Sequence, residues 1–181
     1  VLVADDKPKY LPYGGTIVCE KELIKRQLLR MRADLEVFSL AEMAIRVNCD
    51  IEAIEGQPAE ELELLETLRV NGEIDGYVIS RGKFSQIRTR VRRHTLGMQR
   101  EKPTQEFERS TFISPPLEGF TVLVSRSGFP SSVISKINDI AAETCYQIEN
   151  SIFEALSDDL KHVSGIFVEQ KKLSTILKQY V

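Results

Sequence analysis

The sequence has few residues of the kinds that build metal centres, and it has no hydrophobic segment long enough to cross a bilayer. Three cysteines and two histidines occur among 181 residues, without the close spacing of metal ligands. No apolar run approaches the roughly 20 residues of a transmembrane helix, and the first residues lack the basic and then apolar pattern of a secretory signal. We predict a soluble chain with no metal and no membrane span, in a reducing intracellular compartment, either cytoplasm or organelle matrix.

The cysteines do not form a recognisable catalytic or disulfide pattern. Cys19, Cys49 and Cys145 are odd in number and far apart, and no histidine lies near any of them in sequence. We predict that each is a small buried residue rather than a nucleophile. The two histidines, His94 and His162, are predicted to be surface or partner-contact residues.

Composition gives no overall preference for nucleic acid, but one segment is locally basic. The chain is 42% hydrophobic and 28% charged, which is ordinary for a globular protein, and its formal net charge is −3. Between residues 81 and 102 eight basic residues accompany a single acid, Glu101. The basic residues are Arg81, Lys83, Arg88, Arg90, Arg92, Arg93, Arg100 and Lys102.

Alternating strand and helix patterns predict an α/β fold. Strands are predicted near residues 1–4, 16–19, 35–38, 74–80 and 119–125, the last being an uninterrupted apolar run that we interpret as a central strand. Apolar residues at helical spacing predict helices over 20–32, 41–47, 58–70, 85–95, 131–156 and 171–180, and residues 162–169 resemble one more strand. This order predicts a mixed or mainly parallel sheet flanked by helices.

The same patterns divide the chain into two parts. Residues 1–111 form the first domain, with an insertion at 48–64 and a flexible linker at 98–111, and residues 112–181 contain a return strand, a long helix and an incomplete remainder. The second part should expose apolar surface that another polypeptide covers. Because the sequence begins at Val1, we expect either a removed leader or a longer product.

In order, these segments resemble the porphobilinogen deaminase (hydroxymethylbilane synthase) family, from its second domain to the start of its third. The motifs are 11–15 (Leu-Pro-Tyr-Gly-Gly), 27–35 (Gln-Leu-Leu-Arg-Met-Arg-Ala-Asp-Leu), 39–40 (Ser-Leu), 71–75 (Asn-Gly-Glu-Ile-Asp), 115–119 (Pro-Pro-Leu-Glu-Gly) and 149–156 (Glu-Asn-Ser-Ile-Phe-Glu-Ala-Leu). The resemblance implies a periplasmic-binding-protein-like lobe plus an incomplete second part, and a connection with tetrapyrrole and heme biosynthesis.

Against the resemblance, the family's chemical groups are missing. Residues 157–163 contain no cysteine where the family attaches its dipyrromethane cofactor, so we expect no cofactor. The family's Ser-Ser-Leu-Arg-Arg stretch, which binds substrate carboxylates, falls on residues 20–24, where Glu20 and Glu22 would repel them. The first-domain catalytic aspartate has no counterpart, and Arg46 is the one remnant of the carboxylate-binding site. We therefore predict no catalytic residue.

Three hypotheses follow for the function. The first is a degenerate deaminase-like pseudoenzyme that serves as a structural or binding subunit of a larger assembly with other protein chains. The second is an active transferase whose first domain is supplied elsewhere. The third is an RNA-binding accessory protein that uses Arg88, Arg90, Arg92 and Arg93 on the predicted helix 85–95, each able to meet a phosphate.

Overall fold

The computed structural model describes residues 1–49, 56–85, 90–96, 112–168 and 170, and the chain divides into two compact units, Val1–Phe112 and Ile113–Val181. Two predicted features lie outside the described residues: the helix at 171–180, and the linker at 98–111. Residues 50–55 of the predicted insertion at 48–64 also lie outside them.

A mixed sheet forms the centre of the first unit. Its strands, within the described residues, are β1 (Leu2–Ala4), β2 (Thr16–Val18), β3 (Glu36–Phe38), β4 (Gly76–Val78) and β5 (Arg93–His94). They lie side by side in the order β3, β2, β4, β1, β5. β2 pairs in parallel with both β3 and β4, whereas β1 is antiparallel to β4 and to β5. The predicted α/β fold with a mixed sheet flanked by helices is confirmed.

Helices connect the strands and cover both faces of the sheet. They are α1 (Glu22–Met31), α2 (Leu40–Arg46), α3 (Pro58–Val70) and the short α4 (Arg81–Phe84), and a 3-10 turn spans Pro8–Tyr10. Ser39 and Glu42 form a capping box that starts α2, and Pro58 occupies the first turn of α3, where its missing N–H costs no hydrogen bond. Within residues 20–80, the helices and strands predicted from capping residues and apolar spacing are therefore present in the structure.

Alternate residues of the strands contribute side chains to two hydrophobic clusters, one on each face of the sheet. In the first cluster Leu2 and Ile17 pack with Leu28 of α1. In the second, Val3 and Tyr77 pack with residues of α2 and α3, including Leu65. α1 thus lies on the opposite face from α2 and α3, as right-handed connections require when the chain moves first to one side of β2 and then to the other.

The turn before β2 is held by one ion pair. Arg32 pairs with Asp34, and its guanidinium also donates to the carbonyl oxygens of Leu11 at 2.7 Å and Pro12 at 3.1 Å. Asp34 accepts a hydrogen bond from the backbone N–H of Gly14, whose φ of 69° suits glycine. The hydrogen bond from Arg32 lowers the pKa of Asp34 to about 2. Arg32 and Asp34 therefore fix the turn that the resemblance singled out.

The second unit is helical in its described residues. Its helices are α5 (Ser131–Ile137), α6 (Ile140–Ala155) and α7 (Asp158–Lys161). Glu149 of α6 is only 5% exposed, and its carboxylate accepts hydrogen bonds from the backbone N–H groups of Leu117 at 3.0 Å and Val168 at 3.3 Å. This buried acid therefore ties two separate loops to α6.

The central strand predicted at residues 119–125 is wrong. These residues form no strand, and the side chains of Val122, Leu123 and Val124 are 61%, 70% and 93% exposed. A turn over 116–119 precedes them, with Leu117 and Gly119 both at positive φ. A strand requires a partner for its backbone groups, and the described part of this unit offers none. An apolar run indicates that a segment tends to be buried, but it does not provide the partner strand that a sheet requires.

Two further predictions for this part need correction. The single helix predicted over 131–156 is two helices, because the chain breaks at Asn138 and the carboxylate of Asp139 caps α6 by accepting from the N–H groups of Ala141 and Ala142. No strand forms over residues 162–168. Within the described ranges, no helix is both long and apolar enough to span a bilayer.

A substitution of Gly76 tests how closely strands β1 and β4 pack in the first unit. A Cβ at this position would lie 2.8 Å from the carbonyl oxygen of Val3 and 3.0 Å from the Cβ of Ala4. We expect Gly76→Ala to lower the free energy of unfolding by about 1–3 kcal/mol, because the neighbouring backbone must move. Urea denaturation of both proteins, followed by circular dichroism, measures the difference.

The matched control is Gly82→Ala in α4, where the nearest atom to the new methyl group is the Ser80 hydroxyl oxygen at 4.0 Å. This variant should be as stable as the native chain or slightly more stable, because alanine favours helix. Equal stability of the Gly76→Ala variant and the native chain would contradict the described pairing of β1 with β4.

Candidate functional site

The carboxyl ends of the parallel strands meet at one edge of the sheet, and this edge is the candidate site. From β2 the chain passes through α1 to β3 on one side, and it then returns through α2 and α3 to β4 on the other. The chain changes direction between β2 and β4, and such reversals of strand order are where open α/β sheets commonly bind ligands. We call this region the carboxyl edge. It comprises residues 19–22, 39–40 and 79–83.

Cys19 follows β2 but does not offer a reactive thiol. Its side chain is 3% exposed, and its Sγ lies 3.6 Å from the carbonyl oxygen of Lys21, to which it donates. Burial raises the pKa of the Cys19 thiol to about 11, because the thiolate would lose its hydration. Cys145 is also buried, whereas Cys49 is half-buried. Burial is thus confirmed for Cys19 and Cys145.

Glu20, which lies between β2 and α1, links this connection to the start of α2. Its carboxylate accepts a hydrogen bond of 2.5 Å from the backbone N–H of Leu40, the first residue of α2. A carboxylate is favoured there because the first N–H groups of a helix lack partners within the helix. The place at the start of α2 where an external acid could be held is therefore filled by an acid of the chain itself.

Glu22 is also engaged within the chain. Its carboxylate accepts from Nε of Arg26 at 2.9 Å, one turn along α1, in an exposed ion pair. The sequence predicted that Glu20 and Glu22 would face the place where substrate carboxylates bind and would repel them. In the structure each of them instead contacts a donor of its own chain. The negative charge at residues 20–22 is therefore partly compensated.

Arg46, the predicted remnant of a carboxylate-binding site, lies at the end of α2 beside the edge strand β3. Its Nη1 donates to Glu36 at 2.6 Å, and its guanidinium carbon lies 5.0 Å from the centre of the Phe38 ring. The side chains of Arg46 and Glu36 are each 50% exposed. An acid of this chain thus occupies the guanidinium, and no contact joins Arg46 to Cys19 or Glu20.

Basic groups follow β4 at the same edge. The Ser80 hydroxyl caps α4 by accepting from the N–H of Lys83 at 3.1 Å, and Lys83 lies 3.8 Å from Glu61. Partial burial lowers the pKa of Lys21, and the positive charge of nearby Lys83 acts in the same direction. Arg81 is exposed. The edge therefore carries cations, but not the paired arginine forks that bind several carboxylates at once.

The basic helix predicted over residues 85–95 is wrong in its described part. α4 ends at Phe84, residues 90–92 are not helical, and Arg93–His94 form β5 against β1. The backbone partner offered by β1 outweighed the helical pattern of the sequence. Arg88 lies outside the described residues, whereas Arg90, Arg92 and Arg93 are exposed.

His94, predicted to be a surface or partner-contact residue, is partly buried. Its Nε2 donates to the carbonyl oxygen of Ala4 at 3.1 Å. His162 is exposed, as predicted. Across the described ranges, no group of three or more histidine, cysteine or acidic residues is arranged to hold a metal ion.

Comparison of the chain with protein-family models, with curated proteins and with solved structures finds no match. The resemblance to porphobilinogen deaminase therefore remains a prediction from the motifs of the sequence. The site must be interpreted from its own contacts.

The contact that sequence reasoning missed is the one between Glu20 and Leu40. These residues are 20 positions apart, and no local pattern of the sequence pairs one with the other. The only available signal was that both follow predicted parallel strands, whose carboxyl ends meet at one edge. That signal places the two segments together, but it does not pair a particular side chain with a particular N–H.

Cys19 gives a direct test of this edge. With a pKa of about 11, the thiolate is a minor species at neutral pH, so alkylation by iodoacetamide should be slow. The thiolate population, and with it the rate, should rise about tenfold per pH unit between pH 7 and 10, because the proton is lost only near pH 11. Peptide mass spectrometry at timed intervals measures the modification of Cys19.

The control is the same reaction in urea, in which Cys19 should react as fast as an ordinary thiol. A rate in the native chain that stops rising near pH 8 would mean a low pKa. It would contradict the assignment of Cys19 as an unreactive buried residue.

Proposed function

We propose that the chain is a degenerate, non-catalytic member of the porphobilinogen deaminase family that serves as a structural or binding subunit of a larger assembly. The proposal combines the resemblance of the sequence motifs with one observation on the fold. At the carboxyl edge, the thiol of Cys19 and the carboxylate of Glu20 are engaged in internal contacts.

That observation has two parts. Glu20 caps α2 and is therefore held where it stabilises the fold, and Cys19 is a buried thiol with a raised pKa. A covalent mechanism needs an accessible thiolate or a similar nucleophile, and an acid–base mechanism needs a group free to exchange protons with its substrate. Neither residue meets these requirements in the described arrangement.

The segment that replaces the family's cofactor turn supports the same proposal. Residues 158–161 form α7, in which Lys161 pairs with Asp158 at 3.2 Å and places its ammonium 5.5 Å from the centre of the Phe153 ring. A thioether cannot form without a cysteine. The segment instead makes packing and charge contacts within the second unit.

A role in an assembly is supported by apolar side chains that stand exposed in the second unit. Those of Val124, Ile137 and Ile140 are 93%, 61% and 76% exposed. Large apolar side chains with this much exposure are typical of surfaces that a protein partner covers when they form a contiguous patch. A fold retained without its chemistry can serve such contacts, because packing and catalysis make separate demands on a sequence.

The second hypothesis, an active transferase completed by a first domain on another chain, differs in what it requires of this chain. It needs a covalent primer and a set of arginines that neutralise the substrate's acids. Arg46 is paired with Glu36, and the cysteine is absent from residues 157–163. Loss of one positioned charge typically costs a hundredfold or more in rate, and loss of the primer removes the pathway.

The experiment is an assay of porphobilinogen consumption and bilane formation by the purified chain, beside an active deaminase as positive control. We expect no turnover, and no colour in the acid–aldehyde test for bound dipyrromethane. Leu160→Cys and Lys161→Cys should not restore activity, because a thiol alone does not supply the missing arginines. Bilane formation by the native chain would contradict the proposal.

Purification of the chain from its native source tests the assembly. The proposal predicts that it elutes in a larger complex with other proteins. Elution as a free monomer would contradict the role as a subunit, and companions that supply a deaminase first domain would favour the active transferase.

A further inference from the structure

The described part of the basic segment forms a row of arginines along one edge of the sheet. β5 is the last strand beyond β1, and Arg90, Arg92 and Arg93 lie in or just before it. All three residues are exposed. Within the described part of the chain, no acidic side chain pairs with any of them. This row differs from Arg46 and Arg69, each of which pairs with an acid.

The backbone of the row is fixed by the sheet. The N–H of Ala4 donates to the carbonyl oxygen of Arg92 at 3.3 Å, and Arg93 lies opposite Val3 in the antiparallel ladder. Val91 packs against the second hydrophobic cluster. The backbone positions of Arg92 and Arg93 are therefore set before any ligand arrives, which reduces the entropy lost on binding.

The side chain of Arg93 is positioned further by an aromatic ring. Its guanidinium carbon lies 5.3 Å from the centre of the Phe84 ring, at the end of α4. Successive strand residues point to opposite faces of a sheet, so Arg92 and Arg93 present charge on the two sides of the same edge. The row thus surrounds the edge instead of covering one flat face.

We propose that Arg90, Arg92 and Arg93 bind the phosphate backbone of a single-stranded nucleic acid. Guanidinium groups match phosphate oxygens with two parallel hydrogen bonds and stay charged at any physiological pH. A flexible single strand can bend around the edge and meet charges on both of its sides. A duplex, which is stiff over about 150 base pairs, cannot follow so narrow a feature.

The number of arginines in the row sets the expected salt dependence of the affinity for nucleic acid. For single strands the logarithm of affinity falls with the logarithm of salt concentration with a slope of about −0.7 per phosphate contact. Three contacts give a slope of about −2.1, so affinity should fall about 18-fold between 50 and 200 mM salt. Binding should not depend on base sequence, because phosphate contacts carry no base information.

The test uses the full chain and a fluorescein-labelled RNA of mixed sequence, about 20 nucleotides long, which exceeds the site size of typical single-strand modules. Fluorescence anisotropy at several salt concentrations measures affinity. The double variant Arg90→Ala with Arg92→Ala should keep one contact, so the loss between 50 and 200 mM salt should shrink to about 3-fold.

The matched control removes the same charge from another surface. Arg26→Ala with Arg30→Ala changes two exposed arginines of α1, and it should retain the loss of about 18-fold. Equal weakening by both double variants would mean that net charge alone is responsible, and it would overturn the site. Circular dichroism of each variant checks that it is folded.

Two further measurements separate the proposed ligand from other polyanions. Poly-glutamate should bind more weakly than the RNA, because its carboxylates are spaced and oriented differently from a phosphate backbone. Equal affinity for poly-glutamate would overturn the proposal in favour of an acidic protein partner. Tighter binding of a duplex of the same length would also overturn it. None of these results depends on the deaminase resemblance, so this inference and the proposed function can fail separately.

Discussion

The antiparallel strand β1, inserted between the parallel strand β4 and the edge strand β5, is the constraint on which the first unit depends. Leu2, Val3 and Ala4 are fully buried and contribute to both hydrophobic clusters. The insertion brings the backbone of β1 so close to Gly76 that only glycine fits without movement. β1 also provides the backbone groups that hold β5. The position of the arginine row therefore follows from β1.

The same sheet explains where chemical groups can and cannot act. Because β2, β3 and β4 are parallel, the segments that follow them converge, and the first acid after β2 reaches the first N–H of α2. This contact stabilises the junction of two elements, but it removes Glu20 from the set of groups available to a ligand. At the opposite end, Arg32 and Asp34 fix the turn that leads into β2. Both ends of the strand are thus held by charged side chains in structural roles.

Much of the first unit could be predicted from the sequence, because its signals are local. The spacing of Leu23, Ile24 and Leu28 gave α1, and Pro58 marked the start of α3. Where pairing between distant segments decides the structure, these signals failed. Arg93 and His94 join β1, 90 residues away, although their pattern suggests a helix. Residues 119–125 lack a described partner strand, although their pattern suggests one.

The candidate site was predictable only to the level of segments. Topology placed residues 19–22, 39–40 and 79–83 at one edge, but the partners of individual side chains depend on distances of a few ångströms. The interpretation of Arg46 shows the difference. The resemblance predicted that Arg46 is a remnant of a carboxylate-binding site, and the structure adds that Arg46 pairs with Glu36. An arginine held by an acid of its own chain binds a substrate acid less well because the internal pair must first be broken, and for a half-exposed pair this costs about 1 kcal/mol or less.

The central proposal is that Cys19 and Glu20 at the carboxyl edge are held in internal contacts, and that this edge therefore does not bind the substrate of a deaminase. The most direct measurement is a titration of the isotope-labelled chain with porphobilinogen, followed through the backbone amide resonances. The account predicts no saturable shift at Glu22 or Leu40, because the Leu40 N–H already donates to Glu20. Saturable shifts at both residues, with a Kd below about 1 mM, would contradict it.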